Sequence, residues 1–376
     1  MGLSLRTWVA SILLLTHLVH GALGWGVDGH YAVCKIAQSY FEEKTLVAVK
    51  KILPAYANGE LAAVCSWPDE IKRRPEWSWT YALHFVNTPD NECNYEYSRD
   101  CHNDKCVTGA IFNYTSQLMF QFHYNLTEAL MFVSHFMGDI HQPLHEGFVG
   151  DQGGNKIKLN WYEQETNLHR VWDNKIIESA QEKYYNSSLS VMIHSLQHKL
   201  KYAWSNDVPS WESCPPHKSA CPNPYASESI DLACKYAYKN AAPGTTLGDD
   251  YFLSRLPIVE KRIAQGGIRL AATLNRIFSP KPSFSNLEDF WYDLPVSRLK
   301  YNALASGLLG SLLMKSPFHN RSKRFDLEDF CDDIPVSRLK YNALDDFPGS
   351  RLDFLEVFWR SLLPYQVESM LVFVKE

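Results

Sequence analysis

Apolar residues between Asp28 and about Phe278 recur mostly three and four positions apart, as in Ala129, Leu130, Val133, Phe136, Met137 and Ile140. That spacing lines them along one stripe of an α-helix, so it predicts a mainly helical, single domain over 25–279. Short extended pieces are expected at Tyr81 to Val86 and, after a Gly153-Gly154 turn, at Lys156 to Trp161, enough for one small β-hairpin or sheet. The stretch Val208 to Pro224, rich in Pro, Ser and Cys, reads as a disulfide-pinned loop.

Ahead of this domain, Arg6 is followed by an apolar run from Val9 to Leu18 and then by Ala22-Leu23-Gly24, small residues at the −3 and −1 positions of a cleavage site. A secretory signal peptide over 1–24 is expected, its core shorter than the roughly 20 residues that cross a bilayer. The mature chain then begins at Trp25. Eight of the nine cysteines lie between 34 and 234, which suits the oxidising secretory route. Cys101 with Cys106 and Cys214 with Cys221 are near enough to staple local loops, leaving Cys34, Cys65, Cys93 and Cys234 for longer links and Cys331 over. Sequons at Asn113, Asn125, Asn186 and Asn320 fit a glycoprotein of extracellular or vacuolar destination.

The formal charge of −5 supplies no broad field for nucleic acid, and no dense Lys/Arg run tracks a backbone. A polyanionic ligand would have to be held by metal. His135 with Asp139 and His169 with Asp173 are spaced i, i+4, which puts each pair on one helix face. A single pair of this kind is ordinarily a surface hydrogen bond, but two of them, with His145 turned back after Pro143, point to metal. Imidazole and carboxylate without thiolate suit catalytic zinc. His141 falls on another face and reads as an outer or solvated histidine. At the new N-terminus, Asp28 is a candidate N-cap, and a free α-amine on Trp25 near His30 is a possible chelate, although Trp25 could equally be an apolar plug. Asp69 could be a first-turn aspartate favoured by the helix dipole, and His84 a satisfied core histidine.

Taken in order, Trp25, His30, Asp69, His84, His135, Asp139, His145, His169 and Asp173, in the contexts WGVDGH, SWPDEIK, LHFVN, SHFMGDIHQPLH, GGN and NLHRVWD, resemble the zinc-dependent bifunctional nucleases of plants and fungi. The resemblance to this single-strand endonuclease/3′-nucleotidase family covers about Trp25 to Phe278. It implies a helical fold shared with zinc phospholipase C and three Zn2+ per chain. Asp69, His84, His135 and Asp139 would hold one; His145, His169 and Asp173 a second; the Trp25 amine and carbonyl, His30 and a bridging Asp139 a third. By the same resemblance, Asp69 orients the attacking water and Lys72 lies near the phosphate. Asn174 lies near a base pocket, and Asp104, in the short Cys101 to Cys106 loop, faces the base. Single-stranded RNA and DNA would be cut to 5′-phosphate products and 3′-nucleotides dephosphorylated by a monomer needing no protein or membrane partner. The alternatives are a phospholipase C, whose last ligand pair typically ends in glutamate where this chain has Asp173, and a catalytically silent relative.

Beyond 279 the character changes. Residues 287–304 recur at 327–344 with 15 of 18 positions identical, a repeat in a C-terminal extension over 280–376 with no chemistry-bearing pattern. Two copies are too few for a free-standing repeat array. The apolar run from Ala303 to Met314 is too short to span a membrane.

Overall fold

The computed structural model describes residues 25–120, 124–215 and 218–278. Expectations for 1–24, Asn320, Cys331 and the repeats lie outside them. The expected helical period is realised in eight principal helices: α1 Val27–Ser39, α2 Glu43–Ile52, α3 Val107–Phe120, α4 Leu126–Asp139, α5 Ile176–Tyr184, α6 Leu189–Tyr202, α7 Pro222–Leu232 and α8 Asp249–Phe278. No helix among the described residues is long and apolar enough to cross a membrane.

Helix α8 is the spine, lying along α1 and against α2, α4 and α5. Val33 and Ile36 of α1 and Ile263 and Leu270 of α8 are fully buried, each contributing about 1.5–3 kcal/mol by leaving water. The helices can approach this closely because position 267 is glycine: a Cβ there would sit 2.5 Å from Ile36 Cγ2 and 3.1 Å from the Val33 carbonyl oxygen. Asn275 of α8 then clamps the α1–α2 turn, donating to the Tyr40 carbonyl (3.1 Å) and accepting from the Glu42 amide (3.0 Å). Helix α4 starts on the Asn125 side chain, which accepts from the Glu128 amide (3.2 Å), and is buried on all sides from Ala129 to Asp139. A helix apolar all round belongs at the centre of a core, and α4 is packed between α3 and α8.

The sheet is small: β1 Lys158–Trp161 pairs antiparallel with β2 Gln164–Asn167, and parallel with β3 Thr246–Leu247, in the order β2-β1-β3. Register runs Lys158 opposite Asn167 and Trp161 opposite Gln164. The Tyr81 to Val86 expectation is corrected here, because Pro75–His84 forms a 3-10 helix and the chain extends only from Phe85. Proline at its first helical position pre-sets φ, and the buried Thr80 and Leu83 follow three apart, the 3-10 period. Two further corrections follow from backbone geometry. Gly26, not Asp28, caps α1, while Asp28 sits in the first turn and accepts from Gln181 Nε2 (2.7 Å). The Val208 to Pro224 segment opens with a helix over Val208–Glu212 before the disulfide-bounded loop, since Pro209 suits a first helical turn.

Four disulfides close this body: Cys34–Cys65, Cys93–Cys234, Cys101–Cys106 and Cys214–Cys221. Both local staples are as expected, and the two long links join α1 to the Asp69 segment and the Tyr95 region to the turn after α7.

Candidate metal centre

The last turn of α4 presents His135 and Asp139 to one point, and two other segments converge on it. Asp139 Oδ2 lies 2.9 Å from His84 Nδ1 and 3.1 Å from His135 Nε2, while Oδ1 lies 3.3 Å from His30 Nε2. One carboxylate thus faces α1 with one oxygen and the 3-10 helix with the other. Asp69, on the short helix Trp67–Ile71, closes the second side at 3.5 Å from both His84 Nδ1 and His135 Nε2. Its Oδ1 also accepts from the buried Lys72 Nζ (2.6 Å). The His30 and His135 rings stack at 3.8 Å.

After Asp139 the helix stops, and α8 holds the turn: Arg262 donates to the carbonyls of His141 (3.1 Å) and Ile140 (3.4 Å). Pro143 then opens a 3-10 turn, Pro143–Glu146, that aims His145 inward. A third segment leaves the β-hairpin through the cap of Asn167, which accepts from the Arg170 amide (2.8 Å), and delivers His169. A π-turn over Val171–Lys175 sets Asp173 with Oδ2 3.4 Å from His169 Nε2. Such turns leave a carbonyl free of the helical ladder, and here the Asp173 carbonyl accepts from the Gly26 amide (2.8 Å), tying the start of the domain to the site.

Three of the imidazoles are oriented by backbone carbonyls. His135 Nδ1 lies 2.8 Å from Cys65 O, His145 Nδ1 2.6 Å from His84 O, and His169 Nδ1 2.6 Å from Gly153 O. A carbonyl can only accept, so Nδ1 carries a proton in each, and in His145 and His169 Nε2 is left with a lone pair. Gly153 can serve because its φ is +61° and a Cβ would meet the Leu144 oxygen at 2.3 Å.

Electrostatics fit that reading. Burial lowers His30 to about 4, with neighbouring His135 adding to the effect. Burial likewise takes His84 and His169 down to about 3 and lowers His145. These four rings are therefore neutral near pH 7 and able to bind a cation. For His135 burial pulls the same way, but the carboxylates of Asp139 and Asp69 outweigh it and push it up to about 10. Burial raises Asp173 well above the usual carboxylate range. In Asp139 the upward pull of burial is overcome by His135 and His145.

His30, His84, His145 and His169 Nε2 and Asp139 Oδ1 are all buried without a hydrogen-bond partner. Each such atom costs about 1–3 kcal/mol, and all five belong to residues of three groups: His30, His135 and Asp139; Asp69, His84 and His135; His145, His169 and Asp173. A metal ion would satisfy them together, and a donor set of imidazole and carboxylate without thiolate suits zinc.

The remaining expected residues fall as follows. Trp25 is fully buried. Asn174 packs its Oδ1 where a Cβ on residue 26 would be, 1.7 Å away, so its amide lies against the backbone of Gly26. Asp104 is exposed and accepts from the Tyr97 hydroxyl (2.7 Å), while the adjoining Val107 amide donates to Phe85 O (3.1 Å), one residue from His84. His141 is not solvated: it is fully buried, its Nε2 2.9 Å from an Arg269 amine and its Nδ1 2.7 Å from Met137 O, on the face away from the three groups. Asn125 and Asn186 are exposed, whereas Asn113 is half-buried with its Oδ1 enclosed and Thr115 is buried.

Sequence reasoning passed over Gln142. This fully buried amide donates from Nε2 to Asp173 Oδ1 (2.5 Å) and accepts the Leu144 amide on Oε1 (2.6 Å). The signal was available in an uncharged polar residue inside the ligand-bearing run from His135 to His145.

Comparison with known proteins agrees with this geometry. The S1/P1 Nuclease family model matches residues 25–279. Endonuclease 3 of Arabidopsis thaliana is 76% identical over 288 residues, covering 75% of this chain and 98% of that protein. Endonuclease 4 of the same plant is 69% identical over 294 residues, with the same coverage. Nuclease S1 of Aspergillus oryzae is 33% identical over 284 residues, 72% of this chain and 96% of that protein. With a cluster of buried histidines and aspartates able to hold metal on a helical body, the chain belongs to the S1/P1 nuclease family.

Proposed function

We propose that this nuclease is an endonuclease of single-stranded RNA and DNA, that it holds three zinc ions, and that it leaves 5′-phosphate ends. The observation carrying the proposal is that three buried His/Asp groups lie together, two sharing His135 and the third tied to them by the His84 carbonyl that orients His145, with lone-pair nitrogens converging on them. Asp69, His84, His135 and Asp139 would hold one ion; His145, His169 and Asp173 a second; His30, Asp139 and the mature Trp25 backbone a third. Bound zinc supplies Lewis-acid polarisation of phosphoryl oxygens and activation of water.

The chain's own groups do the rest. Asp69 accepts a hydrogen bond from the attacking water and holds its oxygen in line. Lys72, 2.6 Å from Asp69 Oδ1, offers its other N–H bonds to the phosphate. The water oxygen bonds to phosphorus, the bond from phosphorus to the 3′ oxygen breaks, and that oxygen leaves as a hydroxyl. No 2′-hydroxyl is consumed, so RNA and DNA both serve, and a terminal 3′-phosphate of a mononucleotide meets the same chemistry. Asn174 and Asp104 are assigned to the base. Phe85, half-buried and directly after His84, and Tyr81, packed edge-on against it at 5.6 Å, give unstacked bases an aromatic surface, which favours single strands.

The domain boundaries go with this reading: a leader over 1–24, the nuclease domain over 25–279 and an extension over 280–376. Release of the Trp25 amine requires cleavage after Gly24. Export to an extracellular or vacuolar destination is supported by four disulfides and by exposed sequons at Asn125 and Asn186. The test is metal content and hydrolysis of single-stranded DNA on one preparation of the secreted protein, with and without chelator. Three zinc ions per chain and chelator-sensitive cleavage to 5′-phosphate ends are expected. Metal-free active protein would overturn the site assignment, and zinc without cleavage would overturn the activity.

A further inference from the structure

We propose that the segment from Arg73 to Trp79 is a subsite for the nucleic-acid strand beyond the metal groups, with Arg73 and Arg74 meeting phosphates and Trp79 stacking on a base. The proposal rests on the nuclease reading above and extends it outward from the reacting bond. Its first support is position. The segment begins where Lys72 leaves the Asp69 helix and runs into the 3-10 helix that ends at His84. At about 2 Å per residue, Trp79 stands roughly 10 Å along the axis from His84, more than one stacked base away.

The second support is exposure of side chains that ordinarily avoid it. Trp79 is 58% exposed and Tyr81 51% exposed. Trp79 stacks on the half-buried Trp77 with ring centroids 6.2 Å apart and planes 27° apart. Trp77 in turn packs on Trp67 and Phe132 of the core. The outermost ring is thus held rigidly by the ones beneath, and a base added to this stack loses little side-chain entropy in doing so. Tyr81 lies nearer the centre, with Lys72 Nζ 5.9 Å from its ring centroid.

The third support is charge. Arg73 and Arg74 are exposed, and neither forms an ion pair with any described residue, although the acidic Glu70 and Glu76 are close in sequence. In a chain with a formal charge of −5, three consecutive cations, Lys72, Arg73 and Arg74, adjoining the catalytic groups are a local exception. Cations beside stacked aromatics are what a single strand requires: phosphates on the first, base faces on the second.

The experiment compares kcat/KM on a thymidine octanucleotide and a thymidine dinucleotide at several salt concentrations. The enzymes are the wild type, Trp79→Ala, Trp79→Phe and the pair Arg73→Ala with Arg74→Ala. The octanucleotide-to-dinucleotide ratio should fall roughly tenfold in Trp79→Ala, as for the loss of one base stack, and recover in Trp79→Phe. The arginine pair should lower the slope of log kcat/KM against log salt on the octanucleotide by about 1.4, two phosphate contacts on a single strand. A wild-type enzyme that cuts both substrates while every variant keeps its ratio and slope would overturn the subsite alone. A wild-type enzyme that cuts neither would instead defeat the nuclease reading on which it rests.

Discussion

Replacing Gln142 by methionine keeps the volume and shape of the side chain and removes the donor to Asp173. The buried Asp173 Oδ1 then loses its 2.5 Å bond in a place where burial already pushes the carboxyl toward its protonated form. A hydrogen bond to a charged group is worth about 1.5–3 kcal/mol. At about 1.4 kcal/mol per tenfold, that is roughly 12- to 150-fold in affinity for a cation bound by His145, His169 and Asp173. Outer partners of metal ligands elsewhere cost about 10- to 100-fold, so two independent routes agree. The assay is competition with a chelator of known zinc affinity, following release of successive equivalents, with the spectrum of the cobalt-substituted protein as a second readout. One equivalent should be released early and the cobalt spectrum change. If all equivalents leave at wild-type chelator concentrations while only thermal stability drops, Gln142 is a packing residue and the reasoning fails.

Two further outcomes follow from the scaffold. Removing the Cys34–Cys65 bridge by Cys34→Ala with Cys65→Ala frees a 31-residue separation; the chain-entropy relation gives a loss of about 3–4 kcal/mol, to be read from the denaturant midpoint, and cleavage should fall because Cys65 O orients His135. For Glu228, burial raises the carboxyl but the Arg269 and Arg262 guanidinium groups overcome it and hold it below its ordinary value. A group lowered on folding stabilises above its unfolded pKa, near 4.5, and ceases to as pH falls through the folded value. The wild type should therefore exceed Glu228→Gln in melting temperature at pH 7, and the gap should close below pH 4; a gap independent of pH would contradict the pairing.

The helical body was legible because its apolar period is a local property, and the two i, i+4 pairs were legible because helix geometry alone brings them together. What could not be read depends on distant partners. Tyr81 to His84 alternates like a strand, yet it becomes a 3-10 helix because Thr80 and Leu83 find a buried face to fill. Spacing puts His141 on another face from Asp139, as an outer or solvated histidine, and only α8, more than a hundred positions later, supplies the Arg269 that encloses it. The same holds for Asp173. Its spacing from His169 is visible in sequence, whereas the π-turn and the Gly26 amide that takes its carbonyl are consequences of tertiary contact.

The three ligand groups are one unit rather than three neighbours. Asp139 spends one oxygen on His30 and the other on His84 and His135. His84 belongs to one group by its ring and orients His145 of another by its carbonyl. That coupling bears on how an acidic protein grips a polyanion. With metal bound, Asp69, Asp139 and Asp173 would be ionised and bring three negative charges, and the five imidazoles of His30, His84, His135, His145 and His169 would bind as neutral rings and bring none. Three zinc dications, as proposed, would carry six positive charges against those three, an excess of about three units enclosed in a low-dielectric interior, before Lys72 is counted. A field of that strength is local, so it acts on the scissile phosphate and fades within about 10 Å in physiological salt. Beyond that distance the strand would need contacts of another kind, which is where the stacked tryptophans and the paired arginines stand.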